Sequence, residues 1–220
     1  MLRHALLDDC SVAHGFGERG DHPPEGLLRP RQVHGARVVT GSACRTATPP
    51  EADAVVSDAT TGPIAVVTAD CVPILMATRS GGAVAAVHAG WRGLAAGVVE
   101  AGVDALRRVR DEPIVAVVGP HIGPCCYEVD TPVLEALGIR HGERLHDAVR
   151  PTRPGHADLD LGLLALTALV AAGIGLERLG RVEPCCTRCH ASRFHSYRRD
   201  GPRAGRLVHR ITANPAAPQA

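Results

Sequence analysis

The sequence contains no lysine: all 24 of its basic side chains are arginine, set against 23 acidic ones for a net charge of +1. Beside so much alanine and glycine, that bias reads as the imprint of a GC-rich coding sequence. With charges balanced, no polyanion-binding surface is indicated. Aromatic side chains are nearly as scarce, with one Trp, two Tyr and two Phe in 220 residues. The core must therefore be built from Ala, Val, Leu and Ile, and the stacked-aromatic platforms that bind single-stranded nucleic acid have little to work with. The longest uncharged run, Leu161 to Leu176, is sixteen residues broken by three glycines. It is too short to span a bilayer and reads as a buried helix. The opening MLRHALLDDC lacks the apolar stretch of a signal peptide. Eight cysteines are too few, in a chain this long, for a disulfide framework. The expectation is a cytoplasmic protein with its thiols reduced and without membrane or nucleic-acid partners.

With 45% hydrophobic and 21% charged residues, the chain has the composition of an ordinary globular domain. Continuous apolar runs bounded by Gly and Pro predict buried strands at 64–68 and 83–87, with another buried strand at 114–118, and residues 36–40 read as a short strand. Apolar residues at helical spacing (Leu94, Val98, Val99, Val103, Leu106, Val109) predict a helix over 93–109, with Arg107, Arg108 and Arg110 solvated at its C-terminal end. A second helix is expected over 159–173, stopped by Gly173. Residues 194–211 read as short strands around a glycine-rich turn. No repeat or linker stands out, so the expectation is one α/β domain over residues 1–212, with mixed, largely buried sheets layered with helices, and a disordered tail over 213–220.

Three segments place a polar, reactive residue just outside a buried strand. Gln32-Val33-His34-Gly35 precedes the strand at 36–40, Ala69-Asp70-Cys71 follows that at 64–68, and His88-Ala89-Gly90-Trp91-Arg92-Gly93 follows that at 83–87. A rigid sheet aims the side chains at its strand ends, which is why catalytic groups gather there. Two histidines and a cysteine are the ligand types of a catalytic zinc with one open position. The gaps of 37 and 17 residues are not a local ligand spacing. On residues alone, a metal site and unrelated polar residues at strand ends both stay open. After His88, a glycine-rich strand-to-helix turn offers unpaired N–H groups with Arg92 beside them, either an anion site or a tight turn with a solvated arginine. The loop Gly119 to Glu128 (GPHIGPCCYE) repeats the theme. Cys186-x-x-Cys189, near His190 and His195, has the form of half a zinc knuckle, but no second pair of matching spacing follows it. Arg198, Arg199 and Arg206 are either a phosphate clamp or a solvated cluster.

The segments QVHG, TADCVPIL, AAVHAGWRGLAAGVVE, GPHIGPCCYEV and CTRCHASRFHSYRRDGPRAGR, in this order, resemble the YfiH family, also called the laccase-domain or polyphenol-oxidase family. The resemblance runs from about Ser11 to His209. It implies an α/β fold and purine nucleoside phosphorylase activity with adenosine deaminase activity beside it: adenosine, inosine or guanosine and phosphate in, free base and ribose 1-phosphate out. It also implies a metal held by His34, Cys71 and His88, zinc or alternatively copper. Two departures stand out. The stretch SVAHGFGERGDHPPEGLLRPRQVHG is shorter than its family counterpart, and His121 stands where a small residue is expected and would alter the pocket.

Phosphorolysis needs a bound phosphate, which Arg92 and the turn after His88 would hold, and a polarised leaving purine; Cys71, His88 and Arg92 are the expected catalytic residues. Deamination would use the same metal to bring the pKa of water towards neutrality. Rival readings use the same residues. One is a cysteine hydrolase or transferase with Cys71 as nucleophile, His88 or His34 as base and Asp70 as orienter. Another is copper-dependent phenol oxidation, and a third is a metal-binding scaffold without activity. The chain is expected to act as a monomer or homodimer on small molecules.

Overall fold

Alternation along the central strands decides the architecture. In a computed structural model describing residues 1–183 and 186–217, the strands in chain order are β1 (Ala13–Gly15), β2 (Val38–Thr40), β3 (Ala54–Asp58), β4 (Ile64–Thr68), β5 (Val72–Thr78), β6 (Ala83–Ala89), β7 (Ile114–Val118), β8 (Glu128–Asp130), β9 (Val149–Pro151), β10 (His156–Leu159), β11 (Leu179–Arg181) and β12 (Leu207–Thr212). The helices are α1 (Ala5–Asp8), α2 (Trp91–Ala96), α3 (Val98–Val109), α4 (Thr131–His141), α5 (Leu161–Ala171) and α6 (Tyr197–Asp200). Cys185 and residues 218–220 of the expected tail lie outside the described residues. Before them, Ala213 is buried and the Asn214 N–H donates to the Gly81 carbonyl at 2.8 Å.

Six strands form the main sheet in the order β11-β7-β5-β6-β3-β2. Every residue of β5, β6 and β7 is buried, so apolar residues dominate both faces of these strands. Their side chains go to two different cores. Ile74, Met76, Ala85, Val87 and Val118 pack with α3 and α5 on one face. Leu75, Ala77, Val84, Ala86 and Val117 face the other layer, with Ile64 and Val66 of β4 and Ile211 of β12. That layer is the small sheet β1-β12-β4. Helices, main sheet and small sheet make three layers. No helix among the described residues is long and apolar enough to cross a membrane.

The sequence reading matches β4 and β7 over their whole lengths and α5 within two residues at each end. It does not single out Val72–Thr78, the centre of the sheet. Pro73 reads there as a breaker, yet the sheet asks for its carbonyl, which accepts the Gly119 N–H at 2.8 Å. The single helix expected over 93–109 is two helices, α2 and α3. Gly97 adopts φ 85° between them, a backbone state that only glycine enters without strain. Nor are all three arginines at the end of α3 solvated. Arg108 is exposed, whereas Arg107 donates to the Ala172 carbonyl at 2.8 Å and Arg110 pairs with Glu112. The expected strands before residue 207 are α6 and a 3₁₀ turn; only β12 is a strand.

β12 also buries a titratable group. His209 accepts the Gly17 N–H at Nδ1 (3.3 Å), which leaves Nε2–H to donate to Thr68 Oγ1 (2.9 Å). Burial, with the His88 charge adding to it, pushes the imidazole from its ordinary 6.5 down to about 3. Between these two values the unfolded chain binds a proton that the folded chain refuses, so acidification destabilises the fold. The residue's share is fully absent above about pH 6.5 and grows by about 1.4 kcal/mol per pH unit below it, ceasing near pH 3. His209→Gln, which does not titrate, is expected to flatten the fall in unfolding free energy between pH 6.5 and 5, read from urea melts. An unchanged slope would assign the acid sensitivity elsewhere.

Candidate active site

The strand directions gather the reactive segments at one rim. β2 and β3 run parallel, β3 and β5 each run antiparallel to β6, β5 runs antiparallel to β7, and β7 runs parallel to β11. The starts of β2, β3 and β5 therefore share an edge with the ends of β6, β7 and β11. His34 lies on the approach to β2, Cys71 immediately before β5, and His88 near the end of β6, where it pairs with Pro73. One ligand atom from each of His34, Cys71 and His88 lies within 4.8 Å of the others. Residues 37 and 17 positions apart in sequence become neighbours because three strands begin or end together.

Asp53, which the sequence reading passes over, holds this arrangement. It is wholly buried, and its carboxylate accepts the N–H groups of Val33 (3.2 Å), His34 (2.8 Å) and Gly35 (2.7 Å). Those bonds clamp His34 at φ 62°, a left-handed conformation that costs a non-glycine residue about 1–2 kcal/mol. The same carboxylate meets His88 Nδ1 at 2.8 Å, and its backbone carbonyl takes the His88 N–H at 2.7 Å. His88 is thereby left with Nε2 for a ligand, the carboxylate–histidine–metal arrangement of many metal centres. The signal was a lone acid at the head of the apolar run ADAVV. Gln32 fixes the other side of the turn, its amide pairing with both the N–H (2.7 Å) and the carbonyl (2.8 Å) of Val67 on β4. Gly90 is required by space: a Cβ there would lie 2.9 Å from Cys71 Sγ and 3.2 Å from the His34 ring.

The electrostatics follow from this packing. Burial pushes the Cys71 thiol up, but hydrogen bonds and charge from His34 and His88 outweigh it and bring the pKa down to about 6. Burial works against charge on His88 too, and is overcome by Asp53 and Cys71, which raise it to about 9. Burial likewise opposes the Asp53 carboxylate, yet His88 and the backbone N–H groups hold its pKa below the usual range. The result is a thiolate–imidazolium pair, and a cation ligated here takes the place of the His88 proton. Two imidazoles and one thiolate, with one imidazole oriented by a carboxylate, fit a borderline-soft ion such as zinc.

The trio lines a cleft of about 850 Å³. Five arginines (29, 31, 92, 198 and 206) and three of the five aromatic side chains, Trp91, Tyr127 and Tyr197, line it as well. The Arg92 guanidinium stacks 4.3 Å from the Trp91 ring centroid, and that of Arg198 lies 4.9 Å from that of Tyr127. Burial, with the nearby Cys71 charge, pushes Tyr127 up to about 12, so it stays a phenol. The final arginine cluster divides: Arg198 and Arg206 reach the cleft, while Arg199 turns inward to the carbonyls of Thr187, Arg188 and Phe194 and to Asp200.

Two expectations about neighbouring residues are corrected. Asp70 does not orient a histidine: its carboxylate accepts from Thr187 Oγ1 and the Arg198 N–H, both at 2.6 Å. Asp53 has the orienting role instead. His121 does not alter the pocket; it is buried behind the rim, bonded to the Gly119 carbonyl at 2.8 Å, in space that the absent side chain of Gly162 provides.

Comparison with known proteins shows the family. Residues 16–214 match the family described as multi-copper polyphenol oxidoreductase laccase. A Pseudomonas aeruginosa protein named purine nucleoside phosphorylase PA4543 is 42% identical over 177 residues, covering 80% of this chain and 70% of that one. A protein named adenosine deaminase RL5, from an unknown prokaryotic organism, is 35% identical over 192 residues, or 83% and 73% of the two chains. The crystal structure of the Bacillus licheniformis hypothetical protein YfiH superimposes with a TM-score of 0.83 at 26% identity over 93% of each chain. Sharing both the layered fold and nearly the full run of matched residues, the chain belongs to this laccase-like YfiH family.

Proposed function

We propose that this protein is a metal-dependent purine nucleoside phosphorylase that also deaminates adenosine, with His34, Cys71 and His88 as the ligands of a zinc ion. The observation that carries the reading is the placement of that trio in an arginine-rimmed cleft holding most of the chain's aromatic surface. The names of the two relatives point to the same substrates. A zinc ion there would supply Lewis acidity, lowering the pKa of water for deamination and polarising the purine for its departure.

The chain's own residues do the rest. Trp91, Tyr127 and Tyr197 offer flat faces to the purine. Arg92 presents a guanidinium to phosphate, positioned by its stack on Trp91 and suited to bidentate hydrogen bonding. Helix α2 has only six residues, so its dipole adds little and Arg92 carries the anion binding. Tyr127, held protonated, is an O–H donor for the leaving base. Thiolate ligation requires reduced cysteine, which suits a cytoplasmic protein.

Arg92→Ala separates the two reactions. Losing hydrogen bonds to a charged ligand is worth roughly 1.5–3 kcal/mol, or a loss of about 10- to 150-fold in phosphorolysis. Deamination uses water and is expected to change far less. Ribose 1-phosphate and inosine formed from adenosine, followed across a phosphate titration, measure both. Equal losses would assign Arg92 to the nucleoside; no loss would make it a solvated arginine on a turn.

A second reading rests on the Cys71 thiol being held down to about 6 beside His88, as a nucleophilic cysteine requires. Activity that survives a strong chelator but dies with a thiol-alkylating reagent would favour it. Turnover of phenols by the copper-loaded chain, without turnover of nucleosides, would favour the oxidase chemistry in the family's description.

A further inference from the structure

A second cluster of metal-ligating side chains lies outside the cleft trio. The sulfurs of Cys125, Cys126, Cys186 and Cys189 all lie within 4.8 Å of one another. The sulfur–sulfur separations are 3.4 Å for Cys126–Cys189, 3.6 Å for Cys125–Cys189 and 3.7 Å for Cys125–Cys186. A tetrahedron with Zn–S bonds of about 2.3 Å has edges of roughly 3.8 Å. A disulfide would bring two sulfurs to about 2.05 Å, and all four are free thiols. The spacing is that of ligands around one small ion.

We propose that these four cysteines hold a structural zinc ion as thiolates. Sequence reading finds half of this site in Cys186-x-x-Cys189 and looks for its complement downstream. The complement is an adjacent pair upstream, on the loop that leaves β7 at the shared rim. His190 and His195, the neighbours that the spacing suggested, are not part of the cluster. The two segments are joined by backbone contacts: a bridge between His121 and Cys186, and the Thr187 N–H on the His121 carbonyl at 2.9 Å. The Gly123 N–H points at Cys186 Sγ from 3.3 Å, a hydrogen bond that favours a thiolate. The Arg188 guanidinium interacts electrostatically with Cys126, Cys186 and Cys189, placing positive charge beside a centre whose net charge is −2. Loading is a proton exchange: Zn²⁺ and four thiols give the tetrathiolate and four protons, with no redox partner. Four sulfurs in tetrahedral array select zinc among common cellular cations.

The site lies behind one wall of the cleft. Thr187 and Arg198, which both hold Asp70, follow the Cys186 end, and Tyr127 follows Cys126. The ion would tie these wall residues together without touching substrate.

The test uses the full chain purified under reductant. Mass spectrometry of the metal content is expected to find two equivalents of zinc in the wild type, and one each in Cys71→Ser and in Cys125→Ser/Cys189→Ser. Cobalt loading of Cys71→Ser is expected to give the intense visible absorption and thiolate-to-metal charge transfer of a tetrahedral sulfur site; this arm needs no change within the cluster and is independent of nucleoside turnover. Less than about 0.2 equivalents of metal in Cys71→Ser, with no such absorption, would overturn the proposal. So would unchanged metal content in a soluble Cys125→Ser/Cys189→Ser chain.

Discussion

Cys71→Ser is expected to lower bound metal by one equivalent per chain and to abolish both nucleoside reactions. A serine hydroxyl is a far poorer ligand for a borderline-soft cation, and it stays protonated where the Cys71 thiol ionises. Two imidazoles alone then face the ion, one of them on an exposed turn. The expected loss is at least about 10³-fold in turnover, equivalent to roughly 4 kcal/mol of transition-state stabilisation. The fold should persist, because the residue sits on a loop and serine is smaller than the thiol it replaces. Asp53→Asn extends the series one step outward. It keeps the shape but removes the charge that orients His88 and gathers three backbone N–H groups. Metal affinity is expected to fall about 10- to 100-fold, with residual activity recovered by added zinc. Metal analysis, circular dichroism and product analysis on the same preparations check both. Full activity with no metal lost from Cys71→Ser would remove the trio as the site; lost turnover with no metal lost would move the assignment to thiol chemistry.

Val103→Asp has the largest expected effect on stability. Val103 is wholly buried on α3 in the core shared with β5 and β6. The side chains packed around it are hydrophobic, so the new carboxylate would be either a buried charge or a neutral acid with unsatisfied hydrogen bonds. Either costs about 4 kcal/mol or more, a large part of the 5–15 kcal/mol that typically holds a domain together. The expected result is insoluble chain, or a melting temperature lowered by about 10 °C or more. Val103→Ala, which only leaves a cavity, should cost about 2 kcal/mol. Arg108→Ala on the exposed side of the same helix should stay within about 0.5 kcal/mol. Soluble Val103→Asp with an unchanged melting temperature would mean that another face of α3 meets the sheet.

What was legible in the sequence was whatever short-range physics encodes. β4 and β7 announce themselves as apolar runs between Gly and Pro because both of their faces are covered. α5 shows as a long uncharged stretch with a glycine stop. The ordered segments from QVHG to the final arginine-rich stretch were specific enough to imply the family, and with it the roles of His34, Cys71 and His88. Their spacing alone left the metal open, because ligand separation in sequence says nothing once strand ends from different parts of the chain share a rim. Only the tertiary structure chose Asp53 over Asp70 as the orienting acid, since both sit at strand ends and which carboxylate faces a histidine depends on how β3 pairs with β6. It alone turned Arg199 inward while Arg198 and Arg206 reached the cleft, drew three of five aromatics into one place, and joined Cys125 and Cys126 to the Cys186-x-x-Cys189 turn. Periodicity and turn chemistry act over a few residues and survive in a linear reading. A constellation is set by sheet order and strand direction, which no local run of residues contains.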